Sequence, residues 1–178
     1  MDILYKEILK SDLHENFFVN FKRYQEVEKI WRPDGTGDYE LISEFHVEDW
    51  DEEKKKQKAS FYAALLDEGG RLFGAFDGGE LAGFSSIKGK FLEGSDECLQ
   101  LCEFHVSHDY RGKKIGKKLF SMCAGAARER GCKRIYIVAS PAENSQKAYQ
   151  KIGCVFARPP DARLYEKNPN EVHMEYFL

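Results

Sequence analysis

The sequence predicts an α/β fold: a mixed sheet covered by helices on both faces. Two observations carry this expectation. Over residues 97–157 strand-like and helix-like patterns alternate, and each helical pattern stops at a glycine, Gly131 and then Gly153. Before them, "RLFGAF" and "LAGFSSI" flank the turn-forming "DGGE", the pattern of a β-hairpin. Strand, helix, strand, helix, strand is the order of a sheet sandwiched between helices.

Taken in order, residues 3–8 ("ILYKEI") predict a short strand, and Ser11 or Asp12 is placed to cap a helix. Phe17, Phe21, Tyr24, Val27 and Trp31 recur at helical spacing and predict a helix whose aromatic stripe lies in the core or walls a pocket. "WRPDGTGD" breaks it. A strand near 39–46 follows, then a helix from about 49 to 66, with Asp51–Lys55 and Glu52–Lys56 as oriented i,i+4 pairs and Gly69 as its stop. The run "DEEKKKQK" is thereby read as a solvated helix face. After the hairpin, a strand over 97–106 enters a glycine loop, and a helix from about 113 to 130 carries Ile115, Leu119, Cys123 and Ala126 on one face. "RIYIVA" is a buried type of strand. Ser140-Pro141-Ala142-Glu143 reads as a capping box with Pro at the first helical position, opening a helix to 152. Strands at 154–157 and 172–178 close the chain.

At 178 residues, 42% hydrophobic and 32% charged, the chain suits one domain, 1–178. A net charge of −3 and a pI near 6.0 argue against a dedicated nucleic-acid binder. No apolar run approaches the roughly 20 residues that span a bilayer, and "MDILYKEILKSD" is too acidic and polar for a secretory signal. A soluble cytoplasmic protein, without membrane or nucleic-acid partners, is expected. Five cysteines with no CxxC fit a reducing compartment. Cys98, Cys102, His105 and His108 have ligand types and spacings suggestive of zinc, but strand alternation sets Cys98 and Cys102 on one face and His105 on the other. The expectation is buried thiols and no metal.

The sharpest feature is "YRGKKIGKKLF", Tyr110–Phe120, with two glycines and five basic residues in eleven positions. It is not a Walker loop: Gly112 and Gly116 stand too close together, and Lys118 occupies the place of the required Ser or Thr. It is not a dinucleotide fingerprint either, since no third glycine follows. Between a strand and a helix, however, successive backbone N–H groups and the helix dipole make an anion site suited to a diphosphate.

"HVSHDYRGKKIGKKLF" resembles the acyl-CoA-binding motif of the GNAT superfamily of N-acetyltransferases: Arg or Gln, two residues, Gly, one residue, then Gly or Ala. Arg111 and Gly116 match its ends, and Lys114 replaces its middle glycine. "ENSQKAYQKIGC" resembles the family's next element, a helix carrying a Tyr four residues before a Gly, here Tyr149 and Gly153. "EVHMEYFL" resembles its last strand. Agreement covers about 71–178; the first seventy residues agree in element order only.

The resemblance implies a GNAT-like, mostly antiparallel twisted sheet of about six to seven strands and acetyl-CoA as co-substrate. It also implies a bulged strand before the loop, splayed from its neighbour, whose groups at Phe104 and Val106 pair with the pantetheine arm. Arg111, Gly112, Lys113, Lys114, Ile115, Gly116 and Lys117 would hold the diphosphate, and Asn144 would lie near the pantetheine. The acceptor would be a small-molecule or peptide amine, on a monomer or homodimer, and the net acidity favours a cationic one such as a polyamine or aminoglycoside-like compound. Such chemistry needs an aligned amine, a base to deprotonate it and an acid for the departing thiolate. Tyr149 matches the acid. The family's usual base positions match Gln100 and Cys102, neither of which serves well; Glu103 and then His105 are the ionisable neighbours, on the opposite face unless a bulge redirects them. The missing base keeps open a non-catalytic acyl-CoA sensor of the same fold. Binding of nucleic acid through the loop lysines is a third, weaker reading.

Overall fold

The computed structural model describes residues 2–178. In chain order its elements are β1 (Ile3–Glu7), β2 (Gln25–Pro33), β3 (Tyr39–Glu48), α1 (Glu52–Asp67), β4 (Arg71–Asp77), β5 (Glu80–Phe91), β6 (Cys98–Val106), α2 (Ile115–Glu129), β7 (Arg134–Ala139), α3 (Glu143–Ile152), β8 (Val155–Phe156), α4 (Ala162–Lys167) and β9 (Val172–Phe177). One sheet of seven strands runs β1-β4-β5-β6-β7-β9-β8, and β2 and β3 form a separate ribbon. All its pairings are antiparallel except β6 with β7. The mixed, mostly antiparallel sheet is therefore as expected.

Helices cover both faces. On one, α2 packs Ile115, Leu119, Phe120 and Cys123 against Phe73, Ile87, Leu99 and Leu101, with Tyr149 of α3 in the same core. On the other, Tyr62 of α1 joins Phe18, Phe21, Trp50, Leu72 and Phe84. Gly83 sets the closeness of the first layer, since a Cβ there would lie 2.9 Å from Leu119 Cδ1. The β4–β5 hairpin turns on Gly78 and Gly79, with φ of 57° and 97°, the paired positive φ values of a tight two-residue turn.

The first third departs from expectation. Residues 12–24 form no α-helix: Lys10–Asp12 make a single 3-10 turn, and Phe17, Phe18 and Phe21 sit in a run of turns with their rings driven into the α1-side core. Val27 and Trp31 belong to β2, where Val27 and Ile30 are buried against Ala142. A spacing of three and four suits successive turns and a bulged strand as well as a helix, and here pairing with β3, with a bulge near Val27–Lys29, supplies the backbone hydrogen bonds. "WRPDGTGD" is thus a hairpin turn, its Asp34 carboxylate accepting from the N–H groups of Thr36 and Asp38 at 2.8 and 3.2 Å.

Two local expectations also change. In α1 the i,i+4 pairs do not form: Asp51 caps the helix by accepting from Lys54 N–H at 2.7 Å, Lys55 reaches the Val19 carbonyl, and Lys56 lies 3.3 Å from Glu15. At α3 the capping box is not made. Ala142 is the cap residue and has no side-chain bond, because the preceding backbone is committed to β2, with Trp31 N–H donating to Pro141 O at 2.8 Å. Ser140 Oγ instead accepts from Ala142 N–H and donates to Glu48, each at 3.3 Å.

Candidate active site

The site is built by a fault in β6. From Gly83↔Val106 to Ser86↔Glu103 the register with β5 is regular; the next pair, Ile87↔Leu101, leaves Cys102 as an extra residue. This bulge exchanges the faces of the strand. Leu99 and Leu101 lie in the α2 core, and beyond the bulge Phe104 and Val106 continue on that side. Glu103 and His105 are turned toward α1. In the same region β6 leaves β7, since their parallel pairing ends at Leu101↔Ile137. Ser107 N–H bonds Ala82 O at 2.9 Å, so by alternation Phe104 and Val106 direct their backbone groups into the gap.

The gap widens into a cleft of about 890 Å³, a size common for small-molecule sites. Its walls include Phe104 and Val106, the loop from Arg111 to Lys117, Val138–Ser140 from β7, and Asn144, Ala148 and Tyr149 from α3. The segment Arg23–Glu26 closes one end. Among the loop residues anticipated here, Lys113 is the exception. Its Nζ donates to Asp109 O at 3.0 Å and sits 5.0 Å from the Tyr110 ring, and it does not line the cleft.

Gly112 has φ of 78°, and a Cβ there would have nothing within 4 Å, so the loop backbone lies open to a ligand. Lys114, the cap of α2, has φ of 64° and is the only non-glycine in the left-handed region among the described residues. Gly116 is needed for a different reason: a Cβ there would meet the Phe104 ring at 2.9 Å. The first turn of α2 carries N–H groups without intrahelical partners, and the helix dipole adds positive potential. Such a cradle suits an anion, with Lys114 and Lys117 at its rim. Arg111 ties the loop down, donating from Nε to Val106 O at 3.2 Å and from Nη2 to Arg23 O at 3.1 Å.

Glu103 is the centre of a half-enclosed network. It pairs with Lys58 Nζ, accepts from Tyr62 OH at 2.6 Å, and holds its Oε2 3.4 Å from His105 Nε2. Lys58 also lies 4.7 Å from the Trp50 ring. Burial acts to raise the Glu103 carboxyl, but hydrogen bonding and charge from His105 and Lys58 outweigh it and hold it at about 2. For His105, burial against Trp50 and Phe84 lowers the imidazole below its ordinary value; Glu103 pulls it partly back and Arg23 lowers it further. At neutral pH the pair is a carboxylate beside a neutral imidazole. Tyr149 has its ring against Phe104 at 5.6 Å, and burial raises its phenol well above the ordinary value.

Lys58, Tyr62, Trp50 and Arg23 escaped the sequence reading. Lys58 stood within a run taken as solvated, although its spacing with Tyr62 and Leu65 places it on the inward stripe of α1. Cys98 is buried beside Tyr136 while His105 packs on Trp50, and among the described residues no three His, Cys, Asp or Glu side chains converge as a metal site. Among the described residues no helix is long and apolar enough to cross a membrane.

Similar architecture recurs in solved acetyltransferases. A nourseothricin acetyltransferase superposes with a TM-score of 0.73 at 19% identity, covering 98% of each chain. A protein of Bacillus anthracis str. Ames assigned as a streptothricin acetyltransferase, in complex with acetyl coenzyme A, gives 0.73 at 18%, covering 100% of this chain and 98% of that one. The PaiA N-acetyltransferase of Thermoplasma acidophilum, in complex with coenzyme A, gives 0.61 at 18%, covering 100% of both. At these identities the likeness is one of fold. Among curated proteins none matches the sequence. The family model for the Acetyltransferase (GNAT) family, however, matches residues 24–154, most of the chain and all the elements that form the cleft, and the chain belongs to that family.

Proposed function

We propose that this protein is a single-domain N-acetyltransferase that transfers the acetyl group of acetyl-CoA to a primary amine by direct attack. The observation that carries the proposal is the parting of β6 from β7 above the N-terminus of α2: unpaired backbone groups and a diphosphate cradle on one continuous cleft. Binding of acetyl-CoA and CoA by the B. anthracis and T. acidophilum proteins of the same fold supports it.

Acetyl-CoA supplies a thioester that is already reactive. Phe104 and Val106 present backbone groups to the pantetheine arm, Asn144 flanks it, and the N–H groups from Gly112 through Lys117 take the diphosphate. The amine must lose a proton as its nitrogen bonds the acetyl carbon and the carbon–sulfur bond breaks. His105 takes that proton. Glu103 at about 2 is too weak a base at neutral pH, so it positions the ring by holding Nε2–H and leaves Nδ1 with a free lone pair. This reverses the order in which the sequence ranked the two. Tyr149, its high pKa keeping the phenol protonated, gives its proton to the departing thiolate.

The test is a panel of primary amines with acetyl-CoA, read by thiol release, beside calorimetric titration of acetyl-CoA. Binding with turnover of at least one amine is expected. Binding without turnover of any amine would favour the non-catalytic sensor, and no binding would remove both readings.

A further inference from the structure

A second cavity, of about 400 Å³, lies between α1, the end of β5 and α4. Its walls are largely apolar, with Phe61, Leu65, Phe91, Leu92 and Leu164, and Gln100 adds an uncharged polar group. Phe61 is 45% exposed, a large ring facing this space and not the core. The cavity owes its shape to β5, which bulges between Ile87 and Phe91. Gly89 there approaches the end of α1 so closely that a Cβ would lie 2.2 Å from the Gly69 carbonyl carbon. Cys102, the extra residue of the β6 bulge, lines both this cavity and the cofactor cleft. Among the described residues it is the one common to the two linings, next to the point where β6 leaves β7.

The charges around the cavity are mostly neutralised. Lys90 lies 3.5 Å from Glu68, and Glu93 lies 2.9 Å from Arg163. Lys88 is different: it lines the cavity and, among the described residues, has no carboxylate partner. Burial and the Glu103 charge raise the Cys102 thiol above its ordinary value, and the nearby Lys88 charge only partly opposes them.

We propose that this cavity is the acceptor pocket, and that it selects a primary amine with an apolar, ring-sized body and a carboxylate. The amine end sits at Cys102, the body between Phe61 and Leu164, and the carboxylate on Lys88. Glu68 and Glu93 at the cavity are already paired with Lys90 and Arg163, so beside the unpaired Lys88 a second ammonium finds no free counter-charge and polyamines are disfavoured. The pocket thus opposes the class that net charge alone would favour. The proposal rests on the acetyltransferase reading.

Initial rates with acetyl-CoA are to be compared for 4-(aminomethyl)benzoate, benzylamine and spermidine, in the wild type and in Lys88→Glu, an exposed substitution that does not threaten the fold. The wild type is expected to show kcat/KM at least about tenfold higher for 4-(aminomethyl)benzoate than for benzylamine, one charge-assisted contact's worth, with spermidine lowest. Lys88→Glu should abolish the ratio. Saturation-transfer NMR with 4-methylbenzoate gives a readout independent of turnover: binding to the wild type and loss in Lys88→Glu are expected. Binding of 4-methylbenzoate with no turnover of any amine would leave a carboxylate site at Lys88 but sink the acetyltransferase reading, and with it the acceptor role of the cavity. A preference for spermidine, or an unchanged ratio in Lys88→Glu, would overturn the pocket and leave the acetyltransferase standing. Neither binding nor turnover would overturn both.

Discussion

Glu103→Gln keeps the size of the side chain and removes its charge. Lys58, whose side chain is 14% exposed, then loses its anion. Removing one partner of a fully enclosed ion pair costs about 3–5 kcal/mol. Glu103 is 20% exposed and Lys58 keeps its contact with Trp50, so the expected loss is smaller, about 2 kcal/mol at neutral pH. The pH dependence has a definite sign. The carboxyl is held below its ordinary 4.5, at about 2, so its contribution is complete above 4.5 and fades as pH falls toward 2. Urea titrations should therefore separate variant from wild type at neutral pH and bring them together near about pH 2–3. Kinetics add a second readout. Without the carboxylate that favours the imidazolium, the His105 pKa falls further, and the acidic limb of kcat/KM moves to lower pH. Equal urea midpoints at neutral pH together with an unmoved acidic limb would refute the assignment of Glu103 as the partner of Lys58 and His105.

Tyr149→Phe should lower kcat about 10²-fold, the general-acid range, with acetyl-CoA Kd unchanged by calorimetry; an unchanged kcat would remove the hydroxyl from the chemistry. Lys114→Gly relieves a left-handed residue that costs roughly 1–2 kcal/mol but adds about 0.5–1 kcal/mol of chain entropy. A stability gain of about 1 kcal/mol or less, and an acetyl-CoA Kd changed by less than about tenfold, are expected; acetyl-CoA binding seen only in the glycine variant would mean that Lys114 blocks the cradle. Gly116→Ala drives a methyl to 2.9 Å from the Phe104 ring, so a loss of about 1–3 kcal/mol on thermal unfolding and weaker acetyl-CoA binding should follow; wild-type values for both would show that α2 and β6 can separate without consequence.

From the β4–β5 hairpin onward every element except α4, Ala162–Lys167, was legible in the sequence, because the signals are local. Gly78-Gly79 sets a tight turn, Gly131 and Gly153 stop helices, and the stripes of α2 and α3 carry a clean helical period. The glycine loop between β6 and α2 was legible for the same reason. The ribbon of β2 and β3 was not, since Val27 and Trp31 have one spacing whether they lie on a helix or on a bulged strand, and only pairing with β3 chooses between the two. The α1-facing side of β6 was equally hidden. Strand alternation sends Glu103 and His105 the wrong way unless Cys102 is skipped, and that bulge exists only in the register with β5. The role of Lys58 follows from the packing of α1 on β6, a contact spanning 45 residues that no pattern within either segment encodes. Local backbone preference determined what the chain wrote within single elements; the meeting of His105, Glu103, Lys58 and Tyr149 was decided by long-range burial, which sets register and face only once the sheet has closed on its helices.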